Sequence, residues 1–456
     1  MKDDVRRMLE EGGIEEGDRV EVVGMMRRLT YEGEVSEEVK VEGILLPSTE
    51  LNAPGNVVVK LKNGYNVSIK PTKVRLLEKG RGFKRAEVEG GEAGEGERVI
   101  ILGTGGTIAS FVEYSTGAVY PAITPSDFLR AYPELSRIAR IEPKILFSIL
   151  SEEITPAHWR RMAEAVKEAF EGGARGVVVA HGTDTMAYSS AALSFMLDGL
   201  PGPVVFVGSQ RSSDRPSTDA ALNVLSAVRL AASGRPGEVV AVMHGSTSDT
   251  FCLIHRGVRM RKMHTSRRDA FMSVSEPPLG IITGERIQLR EDATPPGEGG
   301  VVVRTEMEEA VQLLQATPTL TPKVLDRVLE VSKGVVIAGT GLGHMRGELT
   351  ERVKYWVEEG RAVVVASQCI FGRVNLNVYR TGRKLLEAGV IPASDMPPEV
   401  AYVKLMWVLG QTSDPEEVRG MMMRNLRGEI SESSSPAGFG EEYYRWVERM
   451  GGGADG

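Results

Sequence analysis

Two apolar, β-branched runs each end in a glycine-flanked threonine turn, and no other feature restricts the fold as strongly. Val99-Ile100-Ile101-Leu102 leads into TGGTIAS at 104–110, and Val177-Val178-Val179-Ala180 leads into HGTDTMAYSS at 181–190. Such a run, without polar alternation, fits a strand buried on both faces of a parallel sheet. A threonine in a tight turn at the carboxyl end of that strand sits where open α/β sheets build their sites. Two threonines placed this way, one beside an aspartate, point to amide hydrolysis by a hydroxyl nucleophile.

Composition narrows the class. With 456 residues and 41% hydrophobic content, the chain can bury large cores, and its length corresponds to about three domains. Two cysteines, Cys252 and Cys369, provide no disulfide framework. The opening MKDDVRRMLEEGG is charged and amphipathic and lacks the apolar centre of a signal peptide. No apolar run approaches the ~18 residues of a membrane span. A cytoplasmic protein without a membrane partner is the expectation. A net charge of −7 argues against electrostatic nucleic-acid binding by the chain as a whole.

Residues 1–85 read as a separate small β barrel of SH3-like size. GDRVEVVG (17–24), VKVEGILL (39–46), NVVVKLKNG (56–64) and YNVSIKP (65–71) are short alternating segments, with Asn63-Gly64 as a hairpin signal. Lys60, Lys62, Lys70, Lys73, Arg75, Lys79, Arg81, Lys84 and Arg85 face a single acid, Glu78, over residues 60–85. They form either a surface for RNA or a partner, or a solvated edge where lysines block strand pairing. The acidic whole favours the second. AEVEGGEAGEGE (86–97) is a linker.

A large α/β domain is expected over 98–290, with strands near 99–103, 177–181, 204–208 and 239–243. Helices near 157–171, 185–198 and 218–232 alternate with them, and Thr155-Pro156 marks a helix start. Residues 291–330, opened by the turn-rich REDATPPGEGG, read as a connection. A smaller α/β domain follows over 331–440. Its expected strands are 335–338 and 362–366, with helices at 346–358, 381–388, 400–409 and 414–426. Residues 441–456 read as a tail.

Amide hydrolysis by a hydroxyl needs an activated nucleophile, a proton shuttle and donors for the oxyanion. Thr107 is the candidate nucleophile, in a turn whose backbone N–H groups, with Gly106, approach a ligand closely. The alternative is a phosphate-binding turn with Thr107 as a helix cap, but TGGTIAS is not GxGxxG and lacks the P-loop lysine. Thr183 and Asp184, with Gly182 before them, supply a second hydroxyl and a carboxylate. Asp184 suits a substrate ammonium better than the role of base, and it also suits an N-cap. A lysine near Thr183 serves as base where burial or positive surroundings depress its pKa.

These residues resemble the asparaginase/glutaminase family with threonine nucleophiles, from about Arg98 to about Gly428. The resemblance implies a two-domain α/β unit with parallel sheets. It also implies a lysine ahead of a DAF-type stretch, here Lys262 ahead of Asp269-Ala270-Phe271. Lys262 lies in RGVRMRKMH, where Arg259 and Arg261 are alternatives. A loop tyrosine is implied at Tyr120 in GAVYPAITPSD, with Tyr114 as rival, and the small residues Ser115, Thr116, Gly117 and Ala118 suit a mobile lid. Ser151 in SEEITP takes the place of the serine that holds the substrate carboxylate; otherwise it is a helix N-cap. The implied clusters are Thr107 with Tyr120, and Thr183 with Asp184 and Lys262. Leu342 stands where tetrameric secreted members place an asparagine, and SQCIFGRVN (367–375) is closer to the intracellular type. His244 and His255 belong to a set of six scattered histidines without ligand spacing, so structural roles and no metal are expected.

Plain members of that family begin near the strand before TGGTIA. A β module and acidic linker in front instead resemble the D subunits of archaeal glutamyl-tRNA(Gln) amidotransferases. That resemblance implies release of ammonia from glutamine or asparagine, for conversion of Glu-tRNA(Gln) to Gln-tRNA(Gln). It implies a partner, the amidotransferase E subunit, that uses ATP and Mg, and a homodimer within an α2β2 complex. The chain itself has no GxxxxGK[ST] sequence, so no cofactor is expected on it. The alternatives are a stand-alone cytoplasmic L-asparaginase with an accessory N-terminal domain, and a scaffold that keeps the fold without the chemistry. Glutamine and asparagine differ by one methylene, worth only ~1–3 kcal/mol, and the sequence does not rank them.

Overall fold

The computed structural model describes residues 3–15, 17–30, 33–46, 55–61, 66–80, 96–105, 110–113, 118–121, 132–211, 218–434 and 440–451. At the N-terminus, strand β1 (Arg19–Thr30) pairs antiparallel with β2 (Gly33–Leu46) and β4 (Asn66–Glu78), and β3 (Val57–Leu61) pairs with β2 and β4. Every strand has two partners, so the four close into a barrel. Alternation puts Val20 and Val22 inside, with Leu45, Val57, Val59 and Ile69. Helix α1 (Asp3–Glu11) adds Val5 and Leu9 to this core. The Asn63-Gly64 turn lies outside the described residues, as do Lys62, Arg81, Lys84 and Arg85. On β4, Arg75 pairs with Glu21 at 3.2 Å, and Lys79, just beyond it, pairs with Asp18 at 3.1 Å. The module's own carboxylates thus neutralise part of the basic surface.

The central sheet has a parallel half and an antiparallel half. The parallel half is β5 (Arg98–Gly105), β8 (Arg140–Ile149), β9 (Gly176–Ala180), β11 (Val204–Val207) and β12 (Val239–His244). The antiparallel half adds β13 (Cys252–Arg256), β16 (Gly280–Thr283) and β17 (Arg286–Leu289). Across the sheet the order is β17-β16-β13-β12-β11-β9-β5-β8. The runs seen in sequence are buried on both faces. Val99 and Ile101 meet helix α4 (Ala220–Ser233) in one core, and Ile100 and Leu102 meet α2 (Pro156–Glu171) and α3 (Met186–Met196) in another. Among the described residues three small ribbons stand apart from the sheet: β6 (Ser110–Glu113) with β7 (Ala118–Pro121), β10 (Leu197–Asp198) with β18 (Val302–Val303), and β14 (Met260–Lys262) with β15 (Phe271–Ser273).

The C-terminal sheet is parallel, β19 (Val311–Gln315), β20 (Gly334–Gly339), β21 (Ala362–Ser367) and β22 (Ile391–Pro392). One face packs on α5 (Pro322–Val331), α6 (Thr350–Glu358) and α7 (Arg380–Glu387). The other packs on α8 (Pro398–Gln411), whose Val400, Leu405 and Trp407 share a core with α3. Phe195 and Trp407 stack at 6.0 Å between ring centroids. α3 is therefore buried all round, between two sheets, and its sequence shows no polar stripe. After α8, Asp414 caps α9 (Pro415–Met423) by accepting from Glu416 N and Glu417 N.

Two stretches differ from expectation. The connection expected over 291–330 carries β18 (Val302–Val303), which pairs with β10 (Leu197–Asp198), and then β19 and α5. Val311 to Gln315 is short and only half apolar, so its place as a sheet edge is set by β20 rather than by periodicity. The tail expected over 441–456 holds α10 (Gly440–Gly451), which buries Tyr443 and Val447 against Leu253 and Ile281. Among the described residues no helix is long and apolar enough to cross a membrane.

Candidate active site

β5 and β9 are neighbours, so the carboxyl end of β5 lies beside the start of the Thr183 turn. Thr104 Oγ1 donates to Ala180 O at 2.9 Å and ties the ends together. Gly105 then turns the chain at φ +106°, where a Cβ would overlap the carbonyl oxygen of Ile149; only glycine fits. Gly106, Thr107 and Tyr114 follow outside the described residues. Tyr120 contributes its backbone to β7, opposite Phe111.

The second turn is described in full. Thr183 is 7% exposed, and its Oγ1 accepts from Lys262 Nζ at 2.9 Å. The same Nζ donates to Asp184 Oδ1 at 2.8 Å. The Asp184 side chain is 68% exposed while that of Lys262 is 14% exposed, so the carboxylate is open to a ligand above a mostly buried ammonium. Asp184 does not cap α3. The N-cap position is Thr185, and its hydroxyl donates instead to Ser151 O at 2.7 Å. Ser151 itself is buried against the turn: a Cβ on Gly182 would lie 2.7 Å from the Cβ of Ser151. Thr183, Asp184, Lys262, Gly182 and Ser151 therefore form one cluster.

His181 supports that cluster from below. Its ring is fully buried, and burial pushes its pKa down to about 4 despite the Gly182 carbonyl. Nδ1 lies 2.6 Å from Gly182 O and Nε2 lies 2.9 Å from Ser189 Oγ, which also accepts from Trp159 Nε1 at 2.9 Å. Gly182 O can only accept, so Nδ1 carries the proton, and in the neutral ring Nε2 accepts from the Ser189 hydroxyl. A neutral imidazole thus holds the carbonyl of Gly182 in place.

The other two histidines that could suggest a metal have polar partners. His244 lies between Asn223 Oδ1 at 2.6 Å and Asp249 Oδ1 at 3.0 Å. His255 meets Ser273 Oγ at 2.9 Å, and burial pushes its pKa down to about 3. No group of three or more His, Cys, Asp or Glu among the described residues could hold a metal.

Arg259 and Arg261, the alternatives to Lys262, point elsewhere. Arg259 Nη1 pairs with Asp395 Oδ2 at 3.0 Å, and Arg261 Nη1 with Glu399 Oε2 at 3.2 Å. Sequence reading missed both pairs. Alternation along RMRK does separate Arg261 from Lys262, but the carboxylates lie 136 and 138 residues away.

Known proteins match along most of the chain. The family model for the GatD N-terminal domain covers 14–77, that for Asparaginase, N-terminal covers 98–295, and that for the Glutaminase/Asparaginase C-terminal domain covers 310–422. The D subunit of a glutamyl-tRNA(Gln) amidotransferase from Pyrococcus furiosus is 49% identical over 446 residues, covering 95% of this chain and 99% of the relative. The chain belongs to the family of glutamyl-tRNA(Gln) amidotransferase D subunits. A second member of that family, from Thermofilum pendens, is 48% identical, covering 94% of this chain and 96% of its own. Among solved structures, the thermostable L-asparaginase from Thermococcus kodakarensis matches with TM-score 0.66 and 37% identity. The match covers 74% of this chain and 100% of that one. L-asparaginase I from Vibrio cholerae gives TM-score 0.66 and 30% identity, over 74% of this chain and 100% of its own. The D-subunit relatives thus extend over more of this chain than the asparaginases do.

Proposed function

We propose that this chain is the amidase component of a tRNA-dependent amidotransferase, hydrolysing glutamine or asparagine to release ammonia. The ammonia serves the conversion of Glu-tRNA(Gln) to Gln-tRNA(Gln) on a partner, the amidotransferase E subunit, which uses ATP and Mg. In this reading the chain forms the homodimeric core of an α2β2 complex and works in the cytoplasm. The observation that carries the chemistry is Lys262 Nζ within hydrogen-bond reach of both Thr183 Oγ1 and Asp184 Oδ1.

The reaction divides into two steps. Thr107 Oγ bonds to the side-chain carbonyl carbon, with backbone N–H groups of the Gly106 and Gly182 turns holding the oxyanion. The C–N bond then breaks, a proton goes to the leaving nitrogen, and ammonia departs. Water next adds to the ester, the C–O bond to Thr107 breaks, and the acid is released with the hydroxyl restored. Thr183 and Lys262 pass the proton between them. The exposed Asp184 carboxylate receives the substrate ammonium, and Ser151 receives its α-carboxylate. Tyr120 completes the Thr107 side.

A stand-alone L-asparaginase is the second reading, favoured by full coverage of the Thermococcus kodakarensis enzyme. Glutamate formation from glutamine, measured with and without the E subunit and glutamylated tRNA, separates the two. Stimulation by the partner supports the amidotransferase. Equal rates in both conditions support the asparaginase.

A further inference from the structure

The lysine of the Thr183 cluster is carried by an element too small to hold itself. β14 has three residues and pairs only with three of β15, Met260 with Ser273, Arg261 with Met272, Lys262 with Phe271. An isolated two-stranded ribbon is at best marginally stable in water. Backbone bonds from Val274 N to Arg259 O at 2.7 Å and from Met263 N to Ala270 O at 2.6 Å extend it by one step at each end, and side chains tie this short ribbon to the rest of the fold.

Those side chains alternate between the two α/β units. Lys262 reaches Thr183 and Asp184 at the carboxyl end of β9. Arg261, on the opposite face of the strand, reaches Glu399 in the first turn of α8. Met260 is fully buried in the core that both units share. Glu399 is 5% exposed, and burial pushes its carboxyl up against the opposing pull of Arg261. Across the same gap, Tyr188 of α3 meets Tyr402 of α8 at 6.2 Å between centroids, and the Glu399 charge acts on the Tyr188 hydroxyl. Arg261, by contrast, is 36% exposed, so its removal opens no core cavity.

We propose that Arg261 and Glu399 are positioning residues, through which the C-terminal unit holds Lys262 in register with Thr183. The inference rests on the Thr183–Lys262–Asp184 reading above. The ion pair fixes the strand one residue before the ammonium. Losing it lets the ribbon shift, and a displacement of about 1 Å can cost roughly 100-fold in rate. The pair acts on geometry and touches no substrate, so the loss falls on kcat and spares KM.

The test uses the full chain and steady-state hydrolysis of asparagine and glutamine. Parent, Lys262→Ala, Arg261→Met, Arg261→Lys, Glu399→Gln and the Arg261→Met/Glu399→Gln double variant are compared, each checked for cooperative thermal unfolding. Arg261→Met and Glu399→Gln should each lower kcat by about 10- to 100-fold with KM within about twofold. Arg261→Lys should recover most of kcat, and the double variant should be no slower than the slower single one. Folded single variants with kcat within about threefold of parent, or independent losses that multiply in the double variant, overturn the inference. If Arg261→Met does not fold, Glu399→Gln and Arg261→Lys decide by the same criteria. An active parent with an inactive Lys262→Ala keeps the hydrolytic reading intact whatever the Arg261 variants do. An active Lys262→Ala removes that reading first.

Discussion

The hydroxyl of Thr104 donates to the carbonyl oxygen of Ala180 across 2.9 Å, just past the end of the β5–β9 ladder. The ladder stops at Gly103 opposite Ala180, so this side chain continues the pairing where the backbone departs into its turn. The ends of β5 and β9 are thereby tied together just before the Thr183 turn.

Thr104→Val keeps the shape of this 1% exposed side chain and removes the donor. Ala180 O loses a buried partner, which costs about 1–3 kcal/mol. Denaturant unfolding should show a lower midpoint with an unchanged slope. A midpoint equal to that of the parent would mean the contact contributes nothing.

Thr107→Ala and Thr183→Ala should each abolish ammonia release while leaving thermal unfolding near that of the parent. Lys262→Ala should do the same. Lys262→Arg should rescue little, because arginine keeps the charge but cannot accept a proton near neutrality. Combined variants should be scarcely worse than single ones, as for groups that act as a unit. Near-parental turnover in any of the alanine variants removes that side chain from the chemistry. A fully active arginine variant reduces Lys262 to a charge.

The residues just named also mark how far the sequence speaks. β5, β9, β11 and β12 were readable because burial on both faces demands unbroken β-branched runs, and Val177-Val178-Val179-Ala180 is such a run. The Gly182-Thr183-Asp184 turn was readable because glycine and a small polar residue are what a tight strand-to-helix turn requires. Lys262 could be chosen over Arg259 and Arg261 only by resemblance. What separates the three is the position of Asp395 and Glu399, set by the packing of a second sheet. β19 and α10 were missed for the same reason. Their faces are half apolar, and only the neighbours β20 and β16 decide that they are covered. His181 looked like part of the motif, yet its role as a buried prop depends on Trp159 and Ser189.

Acid should destabilise the protein through its buried histidines. Burial pushes His181 down to about 4 and His255 to about 3, from an ordinary value near 6.5. Above pH ~6.5 both are neutral in the folded and unfolded chain, so they add no pH dependence. Below it the unfolded chain binds protons that the folded chain refuses, and stability falls as pH drops from ~6.5 towards ~4. Each histidine contributes a slope of about 1.4 kcal/mol per pH unit in that window. Unfolding midpoints of the parent and of His255→Gln at pH 7, 6 and 5 should show a shallower slope in the variant, by about one proton. An unchanged slope would remove His255 from the acid response.

Ammonia freed by a solitary amidase is lost to solvent, so a chain that serves tRNA amidation should turn over slowly until its acceptor complex forms. The barrel is where a difference from plain asparaginases can act. It closes on its own core, and every residue of the Thr183 cluster lies after Arg98. Deleting residues 1–85 should therefore leave part of the glutamine hydrolysis of the free chain. It should also weaken the rise in turnover caused by the E subunit with glutamylated tRNA, because the deletion removes the module that distinguishes the D-subunit relatives. Tyr120→Ala should blunt the same rise while the barrel is present, because the proposed mechanism puts Tyr120 on the Thr107 side of the site. Glutamate formation from the full, truncated and Tyr120→Ala chains, each with and without the E subunit and glutamylated tRNA, decides it. A truncated chain stimulated as strongly as the full one makes the barrel a bystander, and a Tyr120→Ala chain stimulated as strongly as the parent removes that residue from the switch.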